Sequence, residues 1–204
     1  MKQMSSYSRQ QLEAWLKTIE VDGKVLDVGG SQYPLKGRIR EFSMGTEYRI
    51  LDLKEPHKTK QKPDVVLDLN KEFRDELSFK DKDYYEDYFD KVFCLEVMEY
   101  IWNPVVALKN MNWFLKKGGI LYISFHFLYP HHEPIKEDCL RYTWYGAIKL
   151  LEESGFAIEE MEARKFEDMN RVVTVYNTEK MRGLRKNNEI IHNYQGSLIK
   201  AIKK

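Results

Sequence analysis

Apolar residues recur along this chain in short bursts, most of them closed by an acidic or small residue. Lys24-Val-Leu-Asp-Val28 runs into Gly29-Gly30-Ser31. Glu47-Tyr-Arg-Ile-Leu-Asp52, Pro63-Asp-Val-Val-Leu-Asp68 and Phe89-Asp-Lys-Val-Phe-Cys94 repeat the design, and Gly118-Gly-Ile-Leu-Tyr-Ile-Ser-Phe125 is a fifth run. Runs of this length suit buried strands. Helical spacings lie between and around them. Leu12, Trp15, Leu16 and Ile19 share one side of a helix expected over 8–20, with Ser8 as its cap. Pro104 suits the first position of a helix reaching Lys116. Trp144, Ala147, Ile148 and Leu151 line one side of a helix over 143–154, which Gly155 ends. Phe156 to Met161 reads as a sixth strand and Gly196 to Lys204 as a seventh. The pattern predicts an α/β fold: a Rossmann-like, mostly parallel sheet with helices on both faces and ligand at the strands' carboxyl ends. Residues 1–204 are expected to form one domain, with 165–190 inserted between the last two strands.

The turn after the first strong strand carries candidate chemistry. Glycine there removes the Cβ that would hold a ligand off the backbone. A dinucleotide site would ask for a third glycine and a helix opening at once. Here Ser31-Gln32-Tyr33-Pro34 follows, and Pro34 disfavours helix at Tyr33. A nucleoside-bearing ligand without a pyrophosphate fits better, and S-adenosylmethionine (SAM) is such a ligand. A carboxylate ending the second strand, Asp52, can accept both hydroxyls of a ribose.

Taken in order, Val25-Leu-Asp-Val-Gly-Gly30, Asp52, Asp68-Leu69, Leu95-Glu-Val-Met-Glu-Tyr-Ile101 before Asn103-Pro104, and Phe114-Leu-Lys-Lys-Gly-Gly-Ile-Leu121 resemble the class I SAM-dependent methyltransferases of small-molecule type. The resemblance covers residues 20–160. It implies a seven-stranded sheet whose one antiparallel strand is the last. It also implies SAM contacts at Asp27, Gly29, Gly30, Ser31, Asp52, Leu53, Asp68, Leu69, Leu95 and Glu96. Ser31 departs from the family, which commonly has glycine there; serine is still small enough for close approach.

Composition narrows the partners. The chain has 33 basic and 32 acidic residues and a net charge of +1, which gives no broad field for nucleic acid or an anionic membrane. No apolar run is long enough to span a bilayer. The N-terminus lacks a signal-peptide pattern, and two cysteines make no disulfide framework; a cytoplasmic setting is expected. Cys94, inside an apolar strand, reads as a small buried hydrophobe.

The second chemical segment is Phe125-His-Phe-Leu-Tyr-Pro-His-His-Glu-Pro-Ile-Lys-Glu-Asp-Cys-Leu-Arg-Tyr-Thr143, which follows the fifth strand. Related methyltransferases carry a His, a Pro and then an Asp-x-x-Arg-Tyr/Phe-Thr pattern here, matched by His132, Pro134 and Asp138 to Thr143. An alcohol or sugar acceptor must lose a proton, and histidine suits that task at neutral pH. His132, then His126 and His131, are the candidate bases; Glu133, Asp138 and Arg141 are candidate substrate contacts. Asp138 and Arg141 also read as a pair that only holds the loop, with Thr143 capping the next helix. No diagnostic metal-ligand spacing is present among His126, His131, His132 and Glu133, so no metal is expected.

The expected function is methyl transfer from SAM to an oxygen or nitrogen of a small molecule or sugar. An anionic acceptor is an option through Arg171, Lys180, Arg182, Arg185 and Lys186. The alternative is a SAM- or nucleoside-binding domain without catalysis; a nicotinamide-dependent reductase is disfavoured by the missing glycine.

Overall fold

The computed structural model describes residues 6–73, 84–167 and 194–204. Helix α1 (Tyr7–Leu16) is followed by the short strand β1 (Glu20–Val21). Strands β2 (Lys24–Val28), β3 (Glu41–Phe42), β4 (Glu47–Asp52), β5 (Val65–Val66) and β6 (Phe89–Cys94) come next. A 3-10 turn (Met98–Tyr100) leads to helix α2 (Pro104–Phe114), strand β7 (Leu115–His126) and helix α3 (Trp144–Glu153). Strands β8 (Phe156–Lys165) and β9 (Tyr194–Lys203) close the chain.

The main sheet has seven strands in the order β5-β4-β2-β6-β7-β9-β8. The five from β5 to β7 are mutually parallel, and β9 runs antiparallel to both its neighbours. This is the expected Rossmann-like sheet. A separate two-strand ribbon, β1 with β3, was not foreseen, since two residues carry no periodicity.

Alternation along the central strands builds two cores, one on each face. Leu26, Val92, Cys94, Leu121 and Ile123 pack with Ala107, Leu108 and Met111 of α2 and Ala147 and Leu151 of α3. Their neighbours Val25, Phe93 and Tyr122 turn the other way, onto Leu12, Trp15 and Leu16 of α1. Burying each such side chain contributes about 1.5–3 kcal/mol before the entropy of ordering. Cys94 is part of this packing, as expected, and neither cysteine is in a disulfide.

Several boundaries differ from the sequence reading. Ser6, not Ser8, caps α1, its Oγ accepting from Arg9 N at 3.2 Å; Ser8 is buried instead. Helix α2 ends at Phe114, and β7 begins at once with Leu115. The pair Gly118-Gly119 therefore lies inside the strand. There Phe89 pairs Leu115 and Lys91 pairs Ile120, so the extra residues form a bulge. Gly118 sits at φ +75°, a conformation other residues reach only with strain. The third run shrinks to Val65–Val66, and the sixth extends to Lys165 because β9 offers it a full-length partner. Most of the segment over 165–190, with its basic residues, lies outside the described residues.

Candidate active site

A cavity of about 840 Å³ lies at the carboxyl edge of β2, β4 and β6. That size suits a nucleoside-bearing cofactor with a small partner beside it. Its wall includes Asp27, Gly29, Asp52, Leu53, Asp68, Leu69, Leu95 and Glu96 from the strand ends, and His132 and Glu133 from the loop after β7.

The glycine turn is held tightly from behind. Gly29 has φ +72°, and a Cβ there would stand 2.4 Å from Val97 Cγ2; a Cβ on Gly30 would stand 2.4 Å from Asp27 Oδ2. Gly30 and Ser31 do not line the cavity. Gly30 is needed for the approach to Asp27. Ser31 is fully buried and acts through its backbone, its N–H donating to Asp52 Oδ2 at 3.2 Å. The Leu53 N–H donates to the other oxygen of Asp52 at 2.8 Å. Two backbone donors thus fix the carboxylate at the end of β4, with lone pairs left for a ligand. Asp27 is buried, accepting from Leu35 N at 2.9 Å and from the Tyr48 hydroxyl. Burial pushes its carboxyl up to about 6, although both hydrogen bonds pull the other way.

The far end of the cavity rests on a buried ion network. Glu96 has φ +59°, a left-handed conformation rare outside glycine, and its N–H donates to Ser124 Oγ at 2.8 Å. Its Oε1 accepts from Arg164 Nη1 at 2.7 Å, and its Oε2 lies 3.2 Å from His126 Nε2. Glu99, fully buried in the 3-10 turn, places Oε1 3.2 Å from His126 Nε2 and 3.4 Å from His132 Nε2. Arg164 Nη2 lies 3.0 Å from His126 Nδ1. A guanidinium can only donate, so Nδ1 accepts and the ring's proton sits on Nε2. Burial disfavours a charged His126 and the two carboxylates favour one, with a net upward pull. The Arg164 N–H resists the second proton.

The histidines separate in role. His132 is half-buried on the cavity wall. His126 is fully buried beneath it, away from the cavity, and His131 points outward with 70 % of its side chain exposed. Asp138 and Arg141 also stay off the wall. Arg141 forks onto both Asp138 oxygens, Nη2 to Oδ2 at 2.7 Å, and its Nε donates to Tyr129 O at 3.2 Å. The pair ties the loop together, and Thr143 caps α3 by accepting from Gly146 N at 3.1 Å. Asp138 Oδ2 also accepts from His132 N at 3.0 Å, so this brace orients the histidine.

Glu99, His126 and His132 bring possible metal ligands within 4.8 Å of one another. With Arg164 on Nδ1, the His126 nitrogen facing that centre is a donor, which does not fit ligation. Sequence reasoning did not single out Arg9, Tyr33, Tyr100 and Tyr129, which line the cavity, or Glu99 and Arg164 behind it. Glu99 and Tyr100 stood inside the fourth-strand motif, Tyr33 in the glycine turn and Tyr129 in the loop segment, none of them with a role assigned.

Residues 44–123 match a family model described as a methyltransferase domain. No curated protein matches the chain. Solved structures do. A SAM-dependent methyltransferase from Archaeoglobus fulgidus is 18 % identical with a TM-score of 0.59, over 96 % of this chain and 94 % of that one. One from Mesorhizobium loti is 17 % identical at 0.57, over 98 % and 99 %. The protein described as a methyltransferase in a complex with the Trm112 methyltransferase activator of Haloferax volcanii is 16 % identical at 0.59, over 96 % and 88 %. The fold is that of solved SAM-dependent methyltransferases, and residues 44–123 carry the methyltransferase-domain match. Methyl transfer from S-adenosylmethionine is the activity that this domain match and this fold support.

Proposed function

We propose that this enzyme, as a single domain, methylates an oxygen or nitrogen of a neutral small molecule or sugar. The observation that carries the reading is the continuous cavity from Gly29 and Asp52 to His132 and Glu133. In this reading Asp52 accepts the ribose hydroxyls, and Leu53, Leu69 and Leu95 supply the apolar wall. Asp27 and Gly29 shape the turn, Gly30 and Ser31 support it from behind, and Asp68 and Glu96 complete the polar wall. The cofactor supplies an electrophilic methyl group, whose departure leaves a neutral thioether.

The protein then has two tasks: placing the acceptor in line with that methyl group, and taking its proton. His132 is the base in this reading, with Tyr129, Tyr100 and Glu133 beside it on the wall. The wall's charges favour a neutral acceptor over an anionic one. Asp27, Asp52, Glu55, Asp68, Glu96, Glu133 and Glu137 face Arg9 and Arg38, and both arginines already pair with Glu13 at 2.9 Å. The basic residues that would draw an anion lie outside the described residues.

Among the described residues no helix is long and apolar enough to cross a membrane, which is consistent with a cytoplasmic small-molecule enzyme. The test is transfer of labelled methyl from SAM into a lysate metabolite pool, read by mass spectrometry. Label in a hydroxylated or amine metabolite, lost in His132→Ala while SAM still binds, is expected. SAM binding with no labelled product from any pool would return the chain to a binding role without catalysis.

A further inference from the structure

We propose that Glu99 is a positioning residue of the transfer reaction: it holds the proton-bearing form of His132 and so sets the pH at which that imidazole is free to accept the acceptor's proton. The proposal rests on His132 being the base.

Glu99 is fully buried, and neither of its carboxylate oxygens receives a well-directed hydrogen bond. Among the described residues two imidazole nitrogens stand near it, His126 Nε2 at 3.2 Å and His132 Nε2 at 3.4 Å. A buried carboxylate without a cation is too costly to persist. Arg164 does not serve: its Nη1 is on Glu96 and its Nη2 on His126 Nδ1. That second contact opposes a further proton on His126, and His132 is the other imidazole within reach of Glu99 and the one on the cavity wall.

Asp138 acts on His132 the same way as Glu99, and His126 opposes them. Asp138 Oδ2 lies 3.3 Å from Nδ1, with its charge shared by Arg141. Tyr129, Tyr100 and His126 pack their rings at 5.4, 5.5 and 5.6 Å between centroids, and Glu96 stands beyond His126. Carboxylates face both ring nitrogens, and among the described residues no lysine or arginine pairs with either. Contact with Glu99 is the main cause of the raised proton affinity of His132, ahead of the opposing effect of burial. The ring therefore keeps its proton to higher pH than an ordinary imidazole does. It becomes a base only when its proton leaves for solvent, and the acceptor's proton then takes that place.

The experiment reads the His132 Cε1–H signal by NMR titration, assigned by its loss in His132→Ala. In Glu99→Gln the midpoint is expected to fall by about one pH unit or more. The acidic limb of the kcat/KM profile, measured with the acceptor found by labelled transfer, should move down by the same amount. A structural role for Glu99 would lower activity at every pH without moving the limb. Glu99→Asp keeps the charge one methylene further away and should restore part of the shift; it replaces the Gln variant if that one does not fold. An unmoved His132 midpoint in both variants overturns the role given to Glu99. A midpoint that falls while the limb stays overturns the assignment of His132 as base instead.

Discussion

Replacing Arg164 by methionine tests the buried network most directly. Arg164 is fully buried, with Nη1 2.7 Å from Glu96 and Nη2 3.0 Å from His126 Nδ1. Methionine fills similar apolar volume but leaves the Glu96 carboxylate without its cation. Breaking one side of a buried pair typically costs about 3–5 kcal/mol. In a chain of this size each kcal/mol moves the melting temperature by about 2–4 °C, so the expected fall is about 6–20 °C. The loss should depend on pH, and its sign follows from His126. Glu96 and Glu99, facing Nε2, already raise the folded pKa of His126 above the unfolded 6.5, and with the guanidinium gone nothing opposes a second proton on Nδ1. That compensation is fully present below pH 6.5 and fades as pH rises through the raised value. Differential scanning calorimetry of Arg164→Met should therefore show a smaller deficit at pH 6 than at pH 9. The double variant Arg164→Met with Glu96→Gln should regain at least half the loss, because both charges are then absent. A deficit below about 1 kcal/mol at both pH values, or no recovery in the double variant, would refute the network as drawn.

Two further outcomes follow from the cofactor end. Asp52→Asn keeps the shape but removes the charge held by Ser31 N and Leu53 N, and should weaken SAM binding by about 1–3 kcal/mol, roughly 5- to 150-fold by calorimetry. Asp27, pushed up to about 6 from 3.8 by burial, binds its proton more tightly in the folded state, so it costs stability as pH rises through that window. Asp27→Asn should therefore change the melting temperature more favourably at pH 8 than at pH 4, with an upper bound of about 3 kcal/mol between them; an equal change at both would sink the idea.

The cofactor end was legible in the sequence because it is local. Each of β2, β4, β5 and β6 has an acid within two residues of its end, and the glycine turn sits next to the strand it closes. Asp27, Gly29, Asp52, Asp68 and Glu96 could be picked out by reading forward along the chain, and all reach the cavity wall. Gly30 and Ser31 came from the same motif, yet they work from behind it. The loop after β7 was half legible. His132 and Glu133 reach the wall, whereas His126 and His131, of the same residue type and a few positions away, are buried below it and turned outward. Residue type and spacing cannot tell those three apart, because the choice depends on which way a non-periodic loop folds back. Strand lengths failed where the partner decides them: β8 grows to ten residues beside β9, and β5 shrinks to two at the sheet edge.

The acceptor end was illegible for a further reason: its key cation arrives from the far edge of the sheet. Arg164 is 68 residues from Glu96 in sequence, on β8, beyond the antiparallel strand β9. To reach Glu96 its side chain must pass across β9, and the residue of β9 paired with it is Gly196. A Cβ at Gly196 would stand 2.9 Å from Arg164 Nη2 and 2.2 Å from Phe125 O. The absence of a side chain at that one position opens the path for the guanidinium and lets β7 and β9 close together. In sequence, Gly196 reads only as the start of a strand. Its effect is to place a buried cation behind Glu96 and against His126. The antiparallel final strand thus carries the position that admits this cation, as well as closing the sheet.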